Sequence, residues 1–278
     1  MKHSILLWIV AFLLTVVAAY VQRVTGPTYP LSGVVHFNEV TVEYSLPRSH
    51  GGTSDASIEI ATDDPAVRGF VEWKRFKTDD GWERTSLSRK NGMLVAELPL
   101  QPMAAKVQYR VALFRGNEVA VIPVEDALVM RFKGSVPLPI LIPHILSMFA
   151  AMLLAARAGL EYFSKELNLK ALTYWTIGLL VLGGFVLGPI VQRYAFGTWW
   201  TGWPLGSDLT DNKTGVALLV WIAVALTIRK VQKPQSWALA AAVITFVVFL
   251  IPHSLFGSEL DYKTLKRQYT KPDTILVR

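Results

Sequence analysis

The stretch that decides the fold is residues 171–192, ALTYWTIGLLVLGGFVLGPIVQ, which runs for 22 residues without a charged side chain. At 1.5 Å per residue such a helix is about 33 Å long, close to the roughly 30 Å thickness of a bilayer's hydrocarbon core. Gly184 and Gly188 stand four residues apart, the spacing at which small residues let membrane helices approach closely. The segment is therefore predicted to span a membrane.

Four further apolar segments raise the predicted number of spans to five: residues 4–20, 136–156, 209–228 and 234–258. The first has a poor small-residue cleavage pattern, so we expect an uncleaved signal anchor. In the second, Pro143 suits the first turn of a helix, which predicts that the regular helix begins near it. In the third, Asp208 is the predicted N-cap, with the acidic Asp211 three residues on. Pro252 interrupts the last segment.

Residues 24–133 have a different pattern, in which apolar and polar side chains alternate. The alternation is clear in VVHFNEVTVEY at 34–44, and it predicts β-strands. Asn91-Gly92 lies between two such runs and is a strong signal for a two-residue hairpin turn. Roughly seven short strands in ~110 residues indicate an all-β sandwich of the immunoglobulin or fibronectin type III kind.

Composition narrows the class of protein. The chain is 52% hydrophobic and 18% charged, which is too apolar for one soluble domain. Residues 24–133 hold 13 basic and 14 acidic side chains, so the remainder holds 15 basic and 7 acidic ones. This basic excess belongs to the predicted membrane part, where it sets orientation and contacts lipid headgroups. No basic run suggests a nucleic-acid partner, and the lack of cysteine excludes disulfides and thiolate metal sites.

The loops between the predicted spans determine the expected orientation. Residues 157–170 and 229–233 carry three basic side chains each, whereas residues 192–215 carry two. The positive-inside rule assigns the two more basic loops to the cytoplasm. The predicted organisation is an N-terminal anchor (1–23), an extracytoplasmic β-sandwich (24–135), a four-helix transmembrane domain (136–258) with an outer loop (192–215), and an extracytoplasmic polar tail (259–278).

The tetrapeptide Leu-Ile-Pro-His occurs twice, ending at His144 and at His253. Pro143 is expected to open the second span and Pro252 to end the fifth, so both histidines are expected near the outer membrane face. The other three histidines lie at the N-terminus and in the predicted β-sandwich (His3, His36 and His50). Two neutral imidazoles that face each other can ligate a haem iron from both sides. The pattern therefore predicts His144 and His253 as axial ligands of haem b.

The outer loop contains three tryptophans within five residues, in FGTWWTGWPLGSDLTDNKT at 196–214. They are Trp199, Trp200 and Trp203. Their flat apolar rings suit a haem macrocycle, although a loop of this kind also suits an aromatic belt at a membrane surface. Arg193, or amide N–H groups at the start of the fourth span, would meet the haem propionates. Asp208, at that helix start, completes the expected cofactor-binding set and also serves as a capping residue.

The run Phe196-Gly-Thr-Trp-Trp-Thr-Gly-Trp203, followed by an apolar span, resembles the WWD segment of the haem-handling membrane proteins of cytochrome c maturation. In that family the segment is close to W-G-x-W-W-x-W-D, and two outward-facing histidines flank it. His144 and His253 match those histidines by their order along the chain. Here Phe196 replaces the leading Trp and Pro204 replaces the Asp. The resemblance implies a bacterial plasma-membrane protein that presents haem outside the membrane.

Three functions remain open from the sequence. The first is a haem-binding or haem-handling protein that carries haem b between His144 and His253. The second is a non-catalytic accessory or anchoring subunit of a larger membrane complex, whose β-sandwich docks an extracytoplasmic partner. The third is an enzyme that uses Asp208, Asp211 and the histidines with a metal, but no nucleophile motif or hydrolase signature accompanies these residues.

Overall fold

The chain divides into two compact units in the computed structural model, which describes residues 2–38, 40–164, 168–206, 208–252 and 259–262. A helical unit comprises Met1–Pro27 and Val136–Ser258, and a β unit comprises Thr28–Ser135 and Glu259–Arg278. Each unit has a hydrophobic core of its own.

The helical unit contains six α-helices in the described part of the chain. They are α1 (Lys2–Val24), α2 (Leu138–Gly159), α3 (Leu169–Leu180), α4 (Gly188–Phe196), α5 (Leu209–Thr227) and α6 (Pro234–Leu250). A 3₁₀ turn, Leu160–Phe163, follows α2. A π-helical segment, Val181–Leu187, joins α3 to α4 without a break, so that Leu169–Phe196 is one long helix.

Four of the described helical segments are long and apolar enough to cross a membrane: Ser4–Val24, Leu138–Phe163, Leu169–Phe196 and Leu209–Thr227. The apolar α6 is shorter, at 17 residues. Helix α2 begins at Leu138, five residues before the start expected from Pro143. Pro139 lies at the start of the helix, where a missing N–H costs little, whereas Pro143 lies inside the helix and removes one backbone hydrogen bond there. The predicted N-cap of α5 is confirmed, because Asp208 accepts a hydrogen bond from the Thr210 amide.

Small residues allow the helices to pack closely. An added Cβ on Gly159 of α2 would lie 2.5 Å from the Cβ of Ala242 in α6, so the two helices are already in contact there. The fully buried Trp221 of α5 donates its indole N–H to the Thr245 hydroxyl of α6 at 2.9 Å. Such a polar contact satisfies the one donor that a buried tryptophan carries.

The β unit contains eleven strands in the described residues. They are β1 (Leu31–Phe37), β2 (Val40–Leu46), β3 (Ser49–Gly51), β4 (Ala56–Ala61), β5 (Val67–Arg75), β6 (Glu83–Ser86), β7 (Ser88–Lys90), β8 (Met93–Leu98), β9 (Lys106–Arg115), β10 (Glu118–Ile122) and β11 (Leu128–Lys133). One sheet has the order β1-β2-β4-β8-β7. The other has the order β3-β11-β9-β5-β6, with β10 also paired to β9. The β3–β11 pair is parallel and the other recorded pairs are antiparallel.

Alternation along the strands produces a core to which both sheets contribute. Ile58 and Ile60 of β4 belong to the same buried cluster as Val107 and Tyr109 of β9. The predicted hairpin at Asn91-Gly92 is confirmed, since β7 and β8 pair directly across these two residues. Both residues have positive φ, which a two-residue turn of this type requires.

The segment after the helical unit returns to the β unit. Glu259 forms ion pairs with Lys77 at 3.1 Å and Lys106 at 2.7 Å. The Leu260 amide donates to the Ala104 carbonyl at 3.0 Å, and the Tyr262 hydroxyl donates to the Gln101 side chain. The described start of the polar tail is therefore part of the β unit.

Candidate functional site

The predicted site residues of the helical unit gather around the π-helical segment and the loop between α4 and α5. His144 lies in α2, the tryptophans lie in the loop, and Asp208 caps α5. His253 lies outside the described residues, as do Lys165 of the predicted cytoplasmic loop and the residues beyond Tyr262. The candidate site within the described residues therefore consists of His144, the loop and the helix ends that contact it.

The His144 imidazole is oriented by the π-helical segment. Its Nδ1 lies 2.9 Å from the Gly183 carbonyl oxygen. The same oxygen accepts the Gly188 N–H, which is the i to i+5 hydrogen bond of a π-helix. Because a carbonyl oxygen only accepts, Nδ1 carries the proton in this contact. The other ring nitrogen, Nε2, is then unprotonated in the neutral imidazole and has a lone pair for a ligand.

Glycine is required at position 183 by this close packing. A Cβ on Gly183 would lie 2.8 Å from the Met148 sulfur and 3.0 Å from the Ser147 Cβ, both in α2. At the next residue, Gly184, the space that a Cβ would occupy is filled by the Thr214 methyl of α5. The two glycines thus bring α2 and α5 against the π-helical segment, and the Gly183 carbonyl comes within reach of His144.

Trp200 is placed differently from the other two tryptophans of the loop. Its ring stacks on Phe185 of the π-helical segment with centroids 5.4 Å apart, and its indole N–H donates to the Trp203 carbonyl. Trp199 and Trp203 are 59% and 78% exposed. His144 and Trp200 therefore both contact one short segment, residues 183–185, whereas Trp199 and Trp203 lie on the surface.

Side chains in the first turn of α5 accept hydrogen bonds from the backbone of the loop. Asp211 Oδ2 accepts the amides of Thr201 and Gly202 at 2.8 and 3.0 Å, and Asn212 Oδ1 accepts the Trp203 amide at 2.7 Å. Three consecutive amides thus bind side chains that are adjacent in α5. Gly202 permits this approach, because a Cβ there would lie 2.5 Å from the Asp211 Cβ. Side chains of α5 therefore hold the conformation of the loop.

Asp208 and Arg193 have partners inside the loop. The buried Asp208 accepts the Thr210 amide at 2.8 Å and the Thr201 hydroxyl at 3.1 Å. The Thr201 hydroxyl in turn accepts a hydrogen bond from Gln192 at 2.6 Å. Arg193 donates to the Gly197 carbonyl at the end of α4. Both residues stabilise the loop, and their predicted role in cofactor binding stays a prediction.

Sequence reasoning missed Lys213, which is only 4% exposed. Its ammonium group donates to the Ile251 carbonyl at the end of α6 at 2.8 Å, and its charge is attracted by Asp208. Gln22 of α1 donates to the Phe249 carbonyl nearby. Both side chains satisfy carbonyls that have no partner within α6, since Pro252 follows directly. A lysine inside a predicted span whose one other charged residue is Asp211 was the available signal.

Comparison with known proteins found no match for this chain among family models, curated proteins or solved structures. Among the described residues no three His, Asp or Glu side chains come close enough to hold a metal ion together. The function is therefore inferred from the chemistry of His144 and the loop.

Proposed function

We propose that this chain is a bacterial plasma-membrane protein that binds haem b at the outer end of its helical unit, with His144 as an axial ligand. In this proposal the helical unit crosses the membrane five times, and the β unit is an immunoglobulin-like sandwich on the extracytoplasmic side. The hydrogen bond from His144 Nδ1 to the Gly183 carbonyl is the observation that carries it. His253, which lies outside the described residues, would be the other ligand, as expected from the sequence.

Membrane insertion is supported by the apolar side chains on the outside of the helical unit. Large residues such as Trp175 of α3 and Leu219 of α5 are exposed on long apolar helices. Exposed apolar surface on this scale is unfavourable in water and favourable in lipid. Helix α6 measures about 26 Å at 1.5 Å per residue, so slight local thinning of the bilayer allows it to span.

The sandwich assignment is supported by the shared core of the two sheets. In an immunoglobulin-like domain the inward-facing residues of two antiparallel sheets interdigitate. Here Ile58 of one sheet and Val107 of the other belong to one buried cluster. The domain has its own variations, including the parallel pairing of β3 with β11.

The residues around His144 suit a haem. A ligating histidine typically donates its other N–H to a carbonyl, which fixes the tautomer and the ring plane, and His144 makes this contact. Phe185 and Trp200 form a stacked aromatic pair on the same segment. Arg193 retains guanidinium donors for a propionate beyond the one used on Gly197. Bound there, haem would supply one-electron chemistry or be the cargo that a partner receives.

The test is an absorption spectrum of the full chain purified after expression with haem supplied. A six-coordinate low-spin spectrum with sharp α and β bands after reduction is expected. His144→Ala should abolish that spectrum, whereas His144→Met should keep a haem with a raised reduction potential, because thioether ligation favours ferrous iron. His36→Ala, in β1, is the matched control and should have the wild-type spectrum. Wild-type protein without haem would overturn the proposal.

The alternative of an accessory subunit is favoured by a separate observation on the β unit. Val119 and Val121 of β10 and the nearby Val124 are exposed. The two strand valines lie two residues apart and therefore share one face. Exposed apolar residues on an edge strand are typical of a docking surface. A photo-crosslinking residue at Val121 should capture one partner in the native membrane, whereas the same residue at the exposed Glu97 of β8 should not.

A further inference from the structure

The three loop tryptophans face two different environments. Trp200 packs on Phe185, whereas Trp199 is 59% exposed, Trp203 78% and the nearby Leu205 77%. Three large apolar groups on one loop tip are unusual on a surface that faces only water. They form the exposed tip (Trp199, Trp203 and Leu205).

The exposed tip is held by a fixed backbone. The amides of residues 201, 202 and 203 bind Asp211 and Asn212, and the Asp208 amide donates to the Thr201 carbonyl at 3.0 Å. The Leu205 amide closes a turn onto the Gly202 carbonyl at 2.9 Å. A loop ordered in this way loses little conformational entropy when its side chains bind something.

The chemistry of the surroundings identifies the occupant. Val186 of the π-helical segment and Val216 of α5 are exposed, so both helical segments that lead into the loop have apolar side chains on their surface. The carboxylates of Asp208 and Asp211 bind loop atoms. The exposed Arg193 at the end of α4 adds a positive charge, which suits phosphate groups.

We propose that the exposed tip inserts into the boundary between headgroups and acyl chains of the outer leaflet, and so sets the depth of the helical unit in the bilayer. Tryptophan suits this layer because its ring is apolar and its N–H reaches water or headgroups. The inference rests on the membrane insertion proposed above but is independent of haem.

The test uses the natural lack of cysteine, which makes single labelling sites simple to introduce. One nitroxide label is attached to each of three full-length variants, which are placed in phosphatidylcholine nanodiscs. The variants are Leu205→Cys, Leu219→Cys and Val119→Cys. For each label, the spin relaxation caused by oxygen, which dissolves in lipid, is compared with the spin relaxation caused by a water-soluble nickel chelate. Leu219 lies in the middle of α5 and should report lipid, Val119 in β10 should report water, and Leu205 should report an intermediate depth.

The outcomes separate the two proposals. Water accessibility at position 205 with lipid at 219 overturns the insertion of the exposed tip and favours a protein that docks there, while membrane insertion stands. Water at both 205 and 219 overturns both. In the Leu205→Cys protein, replacing Trp199 and Trp203 with Ser should raise nickel accessibility at 205. Trp82→Ser, in the β unit, should not. An unchanged signal in the tryptophan variant also overturns the inference.

Discussion

A carboxylate that accepts backbone amides lies near each end of α2, but the two carboxylates differ in their exposure to solvent. Near its start, the loop between α4 and α5 is held by Asp211, whose carboxylate is half-buried and accepts two backbone amides. After its end, Glu161 accepts the Asn168 amide at 2.8 Å but is 0% exposed and also pairs with Arg157 at 2.5 Å. The guanidinium of Arg157 lies over the Trp8 ring. The comparison teaches that burial decides how much such a carboxylate contributes to the stability of the folded protein.

Burial has this effect because the cost of an unpaired charge grows as water is removed. At the Glu161 end the two charges are inside the protein, and each is stable only because the other is present. At the Asp211 end partial solvation remains, so the loss of the carboxylate mainly leaves amides without partners. The two ends should therefore respond differently to the same substitution.

The largest effect is expected for Glu161→Gln, which leaves the Arg157 charge buried without its counter-ion. We expect a loss of about 3–5 kcal/mol in the free energy of unfolding. The measurement is equilibrium unfolding of the full chain in mild detergent. The control is the double variant Arg157→Met with Glu161→Gln, which removes both charges, keeps an acceptor oxygen for the Asn168 amide and should be nearly as stable as wild type. A double variant as unstable as Glu161→Gln would show that the charges are not what matters there.

The next largest effect is expected for Asp211→Ala, which removes the acceptor of the Thr201 and Gly202 amides. A loss of about 1–3 kcal/mol is expected, the usual cost of buried groups without partners. Asp211→Asn retains one acceptor oxygen and should lose less. A nitroxide label at Leu205 should become more mobile in the alanine variant. Unchanged mobility would mean that the loop is held by something other than α5.

A smaller effect is expected for Lys213→Met, which removes the donor to the Ile251 carbonyl. The end of α6 then has one unsatisfied carbonyl and no cation near its negative dipole end, at a cost of about 1–2 kcal/mol. The exposed Lys230, beyond α5, provides the matched control. Lys230→Met should lie within about 0.5 kcal/mol of wild type. Equal losses in the two variants would contradict the role given to Lys213.

The smallest effect is expected at Glu259, the most exposed of these carboxylates. Partial burial raises the pKa of Glu259, but hydrogen bonds from Lys106 and Lys77 outweigh it and hold the pKa below the ordinary 4.5. A depressed pKa stabilises the folded state above the unfolded value, and this contribution is lost as pH falls through the folded value. Screening by solvent limits it to about 1 kcal/mol or less.

The measurement for Glu259 is the difference in melting temperature between wild type and Glu259→Gln as a function of pH. Wild type should be slightly more stable at pH 7, and the difference should shrink as the pH falls below 4.5 and disappear below the lowered pKa of the folded state, where the Glu259 carboxylate takes up a proton. Glu97→Gln, which breaks an exposed pair with Lys90, is the control and should have little effect at any pH. A difference that grows on acidification would contradict the sign of the shift.

Sequence reasoning succeeded where the cause of a structure lies within a few residues. The cap of α5 depends on Asp208 and the amide two residues later, and the β7–β8 hairpin depends on Asn91 and Gly92. Both could be read directly from the chain. The start of α2 was expected five residues too late, because the proline of the first turn is Pro139, whereas Pro143 lies inside the helix.

The sequence by itself determined the apolar helices, the alternating strands and the caps and turns between them, because periodicity and local hydrogen bonding depend on neighbouring residues. Only the tertiary structure decided what each polar side chain does. His144 reaches Gly183 across 39 positions of the chain, and Lys213 reaches Ile251 across 38. Such contacts depend on how helices pack, and packing is set by the shape of many side chains together. For that reason the sequence could name His144, while its protonated nitrogen became apparent only from the carbonyl beside it.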